Sequence, residues 1–252
     1  MSEPSRTVTR FSGLADVYDR YRPRYPSLAI AAILEGLAPQ PTAIDIGAGT
    51  GISTRALAEA GAHAIAIEPN DEMRAFAVAS GLDARSGSAT ATGLADRCAD
   101  LVTSFQAFHW FASAEALAEF RRLLRPAGRV ALVWNERDRN DPFARTFREI
   151  EMRFSDPKLL PGLDFTEDAL EQLLRDAGFE NVRRLDFENS QSLDGPGLLG
   201  RVRSCSYSPR SGPRLDDMTE ALRALHREHA DAAGNVVLRY RTEVIVGDLI
   251  ST

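Results

Sequence analysis

The chain has 252 residues, of which 44% are hydrophobic and 26% are charged, with 36 acidic side chains against 30 basic ones. This is the composition of one globular domain that can bury a sizeable core and carry a small cap. No apolar run approaches the roughly 20 residues of a membrane-spanning helix, and no apolar segment typical of a secretory signal begins the chain. A net charge of −6 argues against general nucleic-acid binding, which needs a basic surface. We therefore expect a soluble, cytoplasmic protein with no membrane or nucleic-acid partner.

Cysteine and histidine usage gives no sign of a disulfide framework or of a metal site. Cys98 and Cys205 are the only cysteines, and they lack the C-x-x-C spacing of metal ligands. His226 and His229 lie three residues apart in a charged predicted helix, a pattern that favours a solvated helix face over a pair of ligands. We expect no bound metal.

Two helices are predicted at the start of the chain, over 11–21 and 27–37, because apolar residues recur there at helical spacing. The first helix is expected to end at Arg22, since the following proline disfavours the helical conformation at that residue. Ser27 is the predicted N-cap of the second helix.

Short apolar runs then alternate with helical patterns. Strands are predicted at 43–46, 64–67, 99–105 and 128–134, and helices at 52–60, 71–80 and 114–124. Strands separated by helices of about ten residues indicate βαβ units, and therefore a parallel sheet that is covered on both faces.

The last third of the chain is less regular. Residues 136–165 are expected to hold a helix and a loop, Thr166 to cap a helix that ends at 177, and 179–187 to form a strand. Residues 188–235 are predicted to be a helical excursion.

The final strand is predicted over 236–246. Its alternating charged residues, Arg239, Arg241 and Glu243, indicate one solvent-facing side and an antiparallel position in the sheet.

The strongest chemical signal is the segment from Asp45 to Gly51, which reads Asp-Ile-Gly-Ala-Gly-Thr-Gly between a predicted strand and a predicted helix. Glycines let the backbone turn sharply and let a ligand approach closely, and the helix N-terminus offers free N–H groups. The dinucleotide form of this turn, G-x-G-x-x-G, requires glycine at position 52, where the chain has Ile52. An ordinary glycine-rich turn without a ligand is the alternative.

Glu68 ends the second predicted strand, where a carboxylate can accept both hydroxyls of a ribose. A surface glutamate in a loop is the alternative interpretation. Pro69, Asn70 and Met73 follow where an adenine ring would lie, and a methionine thioether packs well against a flat ring. Met73 could equally be a core residue of the next helix.

With these motifs the chain resembles the class I S-adenosylmethionine-dependent methyltransferases, and the likeness covers nearly its whole length. The glycine motif together with Glu68 carries the likeness to the superfamily. Further segments are similar to the small-molecule branch (methyltransferase type 11) that includes trans-aconitate methyltransferase-like proteins. These segments are 18–23, 106–111, 201–207 and 238–243.

The resemblance implies an α/β fold with a doubly wound, mostly parallel seven-stranded sheet, an antiparallel last strand and a helical cap. It implies one methyltransferase domain over 1–252. Its expected parts are a helical lid over 1–40, a cofactor-binding core over 41–135, and acceptor-site excursions over 136–165 and 188–235.

The resemblance also implies S-adenosylmethionine as the cofactor and a set of residues that hold it. The three glycines of the motif would lie under the methionine part, with Asp45 reaching its amino group directly or through water. Glu68 would hold the ribose, and Ser88 and Ala89 would meet the adenine edge. The whole expected set is Tyr18, Arg22, Asp45, Gly47, Gly49, Gly51, Glu68, Pro69, Met73, Ser88, Ala89 and Gln106.

The implied reaction is in-line displacement of a methyl group onto a small-molecule acceptor, with an oxygen atom of a carboxylate or hydroxyl preferred. A carboxylate needs no base, whereas a hydroxyl or carbon acceptor does, and His109 is the candidate because it titrates near neutral pH. A packed loop histidine is the alternative for His109. The expected acceptor-binding residues are His109, Trp110, Trp134 and Arg201.

Two other functions stay open at this point. A nicotinamide-dependent oxidoreductase could use a similar sheet, although Ile52 counts against it. A non-catalytic module could bind S-adenosylmethionine without turnover. We expect a monomer or a homodimer.

Overall fold

The computed structural model of the chain describes residues 10–159 and 167–250, and a seven-stranded sheet lies at its centre in the spatial order β3-β2-β1-β4-β5-β7-β6. The strands β1 to β5 are parallel where they pair, and β7 is antiparallel to both of its neighbours. The predicted fold class is confirmed. The strands are β1 (Thr42–Ile46), β2 (His63–Ile67), β3 (Asp83–Arg85), β4 (Ala99–Phe105), β5 (Leu124–Arg137), β6 (Glu180–Leu193) and β7 (Val236–Asp248).

Helices cover both faces of this sheet. No helix within the described ranges is both long and apolar enough to cross a bilayer. The helices are α1 (Ala15–Tyr21), α2 (Ser27–Leu34), α3 (Ile52–Glu59), α4 (Asp71–Ala79), α5 (Ala114–Leu123), α6 (Pro142–Phe154), α7 (Glu167–Asp176), α8 (Gly195–Arg203) and α9 (Pro213–His229).

The core forms two layers because successive strand residues point to opposite faces. Ile44 of β1 packs in one layer with residues of α5 and α7, and Ala43 packs in the other with residues of α2 and α3. Burying β1 on both faces explains why its sequence is a continuous apolar run around a single Asp45.

A separate apolar cluster supports the cap. Residues of α6, α8 and α9 pack there against the ends of β6 and β7, including Leu193 and Leu238. The prediction of a helical excursion over 188–235 is wrong at its start, because β6 runs on to Leu193 and its last residues pair with the start of β7. The two strands therefore extend past the rest of the sheet as a ribbon that carries the cap helices.

Other differences are local. The three-residue strand β3 escaped prediction because two of its residues, Asp83 and Arg85, are charged. The first helix begins at Ala15 rather than at 11. Ser27 is the first residue of the second helix and not its N-cap, because Pro26 occupies the N-cap position, without a side-chain hydrogen bond. The expected N-cap residue Thr166 lies outside the described residues.

Candidate functional site

The glycine loop between β1 and α3 turns through backbone conformations that other residues avoid. Gly47, Gly49 and Gly51 all have positive φ angles, of 75°, 59° and 83°. A Cβ atom on Gly51 would clash with Leu82 Cδ1, so a glycine here lets the loop lie close to Leu82. The Gly47 N–H donates to the carbonyl of Ile67 at 2.9 Å, which ties the loop to the end of β2.

A cavity of about 220 Å³ opens beside this loop at the carboxyl ends of the strands. Glu68 lies in its wall and is only 7% exposed, and its two carboxylate oxygens accept hydrogen bonds from the N–H groups of Gly49 and Asn70, each at 2.8 Å. Burial raises the pKa of Glu68, against the opposing effect of these two hydrogen bonds. Each oxygen keeps a further lone pair for a ligand.

The remaining wall of this smaller cavity is mostly apolar. Met73 follows Asn70, whose side chain caps α4 by accepting from the N–H groups of Glu72 and Met73. Two sides of the cavity thus come from the β2–α4 turn and the segment after β3. The wall residues among those expected are Tyr18, Gly47, Gly49, Glu68, Pro69, Met73, Ser88, Ala89 and Gln106.

Asp45 lies beneath the loop and is fully buried, outside the wall of this cavity and of its larger neighbour. Its carboxylate accepts hydrogen bonds from three hydroxyls, those of Ser53 (2.6 Å), Thr54 (2.7 Å) and Thr103 (3.1 Å). Burial raises its pKa, and these hydroxyls oppose that effect. Through these hydrogen bonds Asp45 joins β1, β4 and α3. Gly51, like Asp45, is absent from the walls of both cavities.

Gln106 follows β4 with a φ angle of 54°, which is uncommon for a residue other than glycine. Its side-chain amide donates to the carbonyl of Asn135 at 3.0 Å. A left-handed residue at the carboxyl end of a central strand is typical of a functional site, where surrounding contacts hold the backbone in place. Gln106 lies in the walls of both cavities.

The second cavity is larger, about 760 Å³, and adjoins the first. Among the described residues, its wall contains six arginines and three carboxylates, although the chain as a whole is acidic. The residues common to both walls are Phe11, Tyr18, Gly47, Phe105, Gln106 and Trp110. The charged wall residues are Arg22, Arg137, Arg139, Arg148, Arg201, Arg241, Glu136, Asp138 and Glu243.

Arg22, which was expected to hold the cofactor, is absent from the wall of the smaller cavity and lines the larger one together with the expected acceptor residue Arg201. The Arg22 guanidinium lies 4.7 Å from the ring centre of Tyr18 and donates to the carbonyl of Ser204 at 3.1 Å, so the chain after α1 is fastened to the end of α8. Arg201 is 4% exposed and donates to the Tyr240 hydroxyl at 3.1 Å and to Cys205 Sγ at 3.2 Å. Both arginines are therefore held by the protein itself.

His109 lies in a short 3₁₀ turn after β4 and lines the larger cavity. The indole N–H of Trp134 donates to His109 Nδ1, with 3.4 Å between the nitrogens. Burial, and then the positive charge of Arg22, lower the pKa of His109 to about 4. Trp110 packs against the His109 ring at 4.7 Å between ring centres and lies in the walls of both cavities.

Several wall residues were missed by the sequence analysis, notably Glu136 and Glu243. Strand alternation could have identified them. Trp134 and Glu136 lie two residues apart on one face of β5, and Arg241 and Glu243 lie two residues apart on one face of β7. The register confirms the relation, since Trp134 lies opposite Glu243 and Glu136 opposite Arg241.

Comparison with known proteins gives a consistent picture. Residues 44–132 match the family model described as a methyltransferase domain. An uncharacterized methyltransferase of Mycobacterium bovis is 33% identical over 230 residues, which cover 89% of each chain. A demethylmenaquinone methyltransferase of Mycolicibacterium vanbaalenii is 30% identical over 232 residues, which cover 89% of this chain and 94% of the relative.

Solved structures share the fold at lower identity. A protein of Anaeromyxobacter dehalogenans superposes with a TM-score of 0.64 at 22% identity, over 92% of this chain and 100% of that one. A geranyl diphosphate methyltransferase in complex with S-adenosylmethionine gives a TM-score of 0.50 at 16% identity, over 89% and 85% of the two chains.

Proposed function

The chain belongs to the class I S-adenosylmethionine-dependent methyltransferases, and from that premise we propose that it methylates an oxygen atom of a small acidic molecule bound in the larger cavity. The observation that carries the proposal is the excess of arginine over carboxylate in that cavity, on a chain whose net charge is −6.

The smaller cavity is the proposed cofactor site. Bound there, S-adenosylmethionine supplies a methyl group on a sulfonium sulfur, which needs no further activation. The backbone of Gly47 and Gly49 would hold the methionine part, and Glu68 would accept the ribose hydroxyls. Met73, Ser88 and Ala89 would enclose the adenine, while Gln106 and Tyr18 lie in the wall shared with the larger cavity. Asp45 and Gly51 would act from beneath by fixing the shape of the loop.

The larger cavity is the proposed acceptor site. Burial raises the pKa of Glu136 and of Glu243, two of the carboxylates in its wall. Arg201 and Arg22 already hold a fixed position through protein contacts, so little side-chain freedom is lost when they bind an anion. A planar guanidinium matches the geometry of a carboxylate better than any other side chain does.

A carboxylate acceptor also suits the weak basicity of His109. A pKa of about 4 makes this histidine a weak base, and its Nδ1 already accepts a hydrogen bond from Trp134. A carboxylate is a nucleophile without loss of a proton, so the protein has only to align it with the methyl group and keep water away. A hydroxyl or carbon acceptor would require deprotonation.

An acceptor screen with radiolabelled S-adenosylmethionine tests this function. Small carboxylic acids, their methyl esters, phenols, amines and quinols would be compared as acceptors. We expect methyl transfer to at least one acid and none to its ester. Transfer only to amines, phenols or quinols would refute the oxygen acceptor of an acid, while leaving the family assignment intact.

The arginines are tested with Arg201→Gln. We expect an increase of about ten- to hundredfold in the KM for the acid, because a charge-assisted contact is lost. Binding of S-adenosylhomocysteine should be unchanged, which shows that the variant is folded. Arg203→Gln is the matched control, since Arg203 is an exposed neighbour on α8 outside the cavity wall.

A further inference from the structure

The contact between Trp134 and His109 determines which ring nitrogen of the histidine can carry a proton. An indole N–H can only donate a hydrogen bond, so the 3.4 Å contact requires a lone pair on His109 Nδ1. Trp134 is 9% exposed and lies within β5, whose pairing with β7 fixes its position opposite Glu243. The donor is therefore held by the sheet.

The charge state of the His109 ring then determines where its proton lies. With a pKa of about 4, caused by burial and by the nearby Arg22, His109 is neutral at physiological pH. Arg10 lies over the adjacent Trp110 ring, 5.3 Å from its centre, which places a second cation near the turn. A neutral imidazole carries one proton, and with Nδ1 accepting, that proton is on Nε2.

We propose that Trp134 is a positioning residue that holds His109 in its Nε2–H tautomer, so that His109 donates a hydrogen bond to the methyl acceptor and removes no proton from it. The role toward the acceptor rests on the proposed function, whereas the tautomer does not. Within the described ranges no protein group is hydrogen-bonded to Nε2, and His109 lines the larger cavity. Its Nε2–H is thus the ring group left for a ligand.

A donor at this point has a clear chemical use. It would fix one oxygen of the acceptor carboxylate and leave the other to attack, which distinguishes the two oxygens of the acid. A base would need a free lone pair instead, and the only lone pair of this tautomer is engaged by Trp134.

The tautomer can be read directly by NMR on the full chain labelled with ¹⁵N-histidine, with no acceptor present. His109→Gln identifies the His109 signals among those of the four histidines. At neutral pH we expect Nδ1 to be unprotonated and Nε2 to be protonated. A proton on Nδ1 in the wild-type protein would overturn the proposal, whatever happens in any variant.

Trp134→Phe tests the cause. Without the donor, we expect a mixture of tautomers and a rise in the pKa of His109 by about 0.7 unit, which corresponds to one hydrogen bond of ordinary strength. Trp110→Phe is the matched control, because it alters the ring that packs on His109 but leaves the Trp134 N–H in place. We expect it to keep the wild-type tautomer. Identical tautomers in the wild-type protein and Trp134→Phe would show that Trp134 is not the cause.

The role toward the acceptor is tested with any acid that the screen identifies. His109→Ala is expected to lose about ten- to hundredfold in kcat/KM. His109→Gln should recover most of that loss, because its amide can donate from a place similar to Nε2 but cannot act as a base. Equal losses in both variants would refute the donor role. Should no acid be methylated, the proposed function fails, while the NMR result still decides the tautomer.

Discussion

Glu151 on α6 offers the most quantitative test of how the cap holds the larger cavity in shape. Its carboxylate binds the Arg137 guanidinium through two contacts, of 2.6 and 2.9 Å, and accepts a hydrogen bond from Cys205 Sγ at 3.1 Å. The Glu151 side chain is 1% exposed and the Arg137 side chain 10%. Arg137 lines the larger cavity, so Glu151→Gln removes the counter-charge of a cavity arginine without changing the size of the side chain.

Two considerations, which describe the same buried ion pair, give the magnitude of the effect. Removing one partner of a buried ion pair costs about 3–5 kcal/mol, because the other charge is left buried and uncompensated. Burial raises the pKa of Glu151, but the charges of Arg137 and Arg201 outweigh that effect and hold it at about 2, against an ordinary 4.5. That difference corresponds to about 3 kcal/mol of folding free energy. We expect Glu151→Gln to lose about 3 kcal/mol, which for a chain of this size lowers Tm by about 6–12 °C.

Thermal unfolding of the wild-type protein and of Glu151→Gln between pH 7 and pH 3 measures this. A pKa that is lowered in the folded state gives stability that is fully present above pH 4.5 and is lost as the pH falls toward 2. The difference in Tm between the two proteins should therefore be largest at neutral pH and shrink below about pH 4.5. Glu220→Gln is the control, since Glu220 forms an exposed ion pair with Arg227 on α9 and should cost less than about 1 kcal/mol.

A Tm within about 2 °C of the wild-type value would refute the reasoning. It would mean that water or another group compensates Arg137 as well as Glu151 does. A difference that stays constant from pH 7 to pH 3 would also contradict it, because the stabilising charge would then not be the Glu151 carboxylate.

Two further substitutions test the cofactor side. Glu68→Gln should weaken binding of S-adenosylhomocysteine about tenfold or more by calorimetry, because the amide keeps one oxygen for the two backbone N–H groups that the carboxylate now binds. An unchanged Kd would contradict the proposed ribose contact. Gly51→Ala should destabilise the protein by about 2–3 kcal/mol in denaturant unfolding, since it adds a contact with Leu82 to the cost of a left-handed backbone. Gly234→Ala, with a similar φ angle and open space around it, should show the backbone cost alone, and equal effects would exclude the contact as a cause.

The cofactor half of the molecule was predictable because its signals are local in sequence. A buried parallel strand is a continuous apolar run, and the residue that ends it lies at the carboxyl edge of the sheet, where ligands of open α/β sheets bind. Glu68 and the glycine loop could therefore be placed at the same edge of the sheet from the sequence alone. The exception was β3, whose three residues are too few and too polar for a period to appear.

The half that forms the larger cavity was much less predictable, because its contacts join distant parts of the chain. Arg137 and Glu151 lie on different elements, and no spacing rule relates a strand residue to a helix residue that packs over it. Trp134 and His109 meet because β4 and β5 are neighbours in the sheet, but their hydrogen bond depends on how the turn after β4 folds back. The length of β6 was also underestimated, since an amphipathic polar ribbon and a solvated helix have similar composition.

The net charge of −6 illustrates the same division between global and local properties. Charges farther from the acceptor than about 8–10 Å are largely screened at physiological salt, so the acidic surface contributes little to binding inside the cavity. The arginines of the wall act at contact distance and in a partly buried environment, where screening by salt is weak. A small acid bound there, as proposed, would thus experience the positive wall rather than the negative chain. Raising the salt concentration should accordingly change the KM for an acid acceptor much less than Arg201→Gln does. If salt changed the KM as much as that substitution, the charges that bind the acid would lie on the surface.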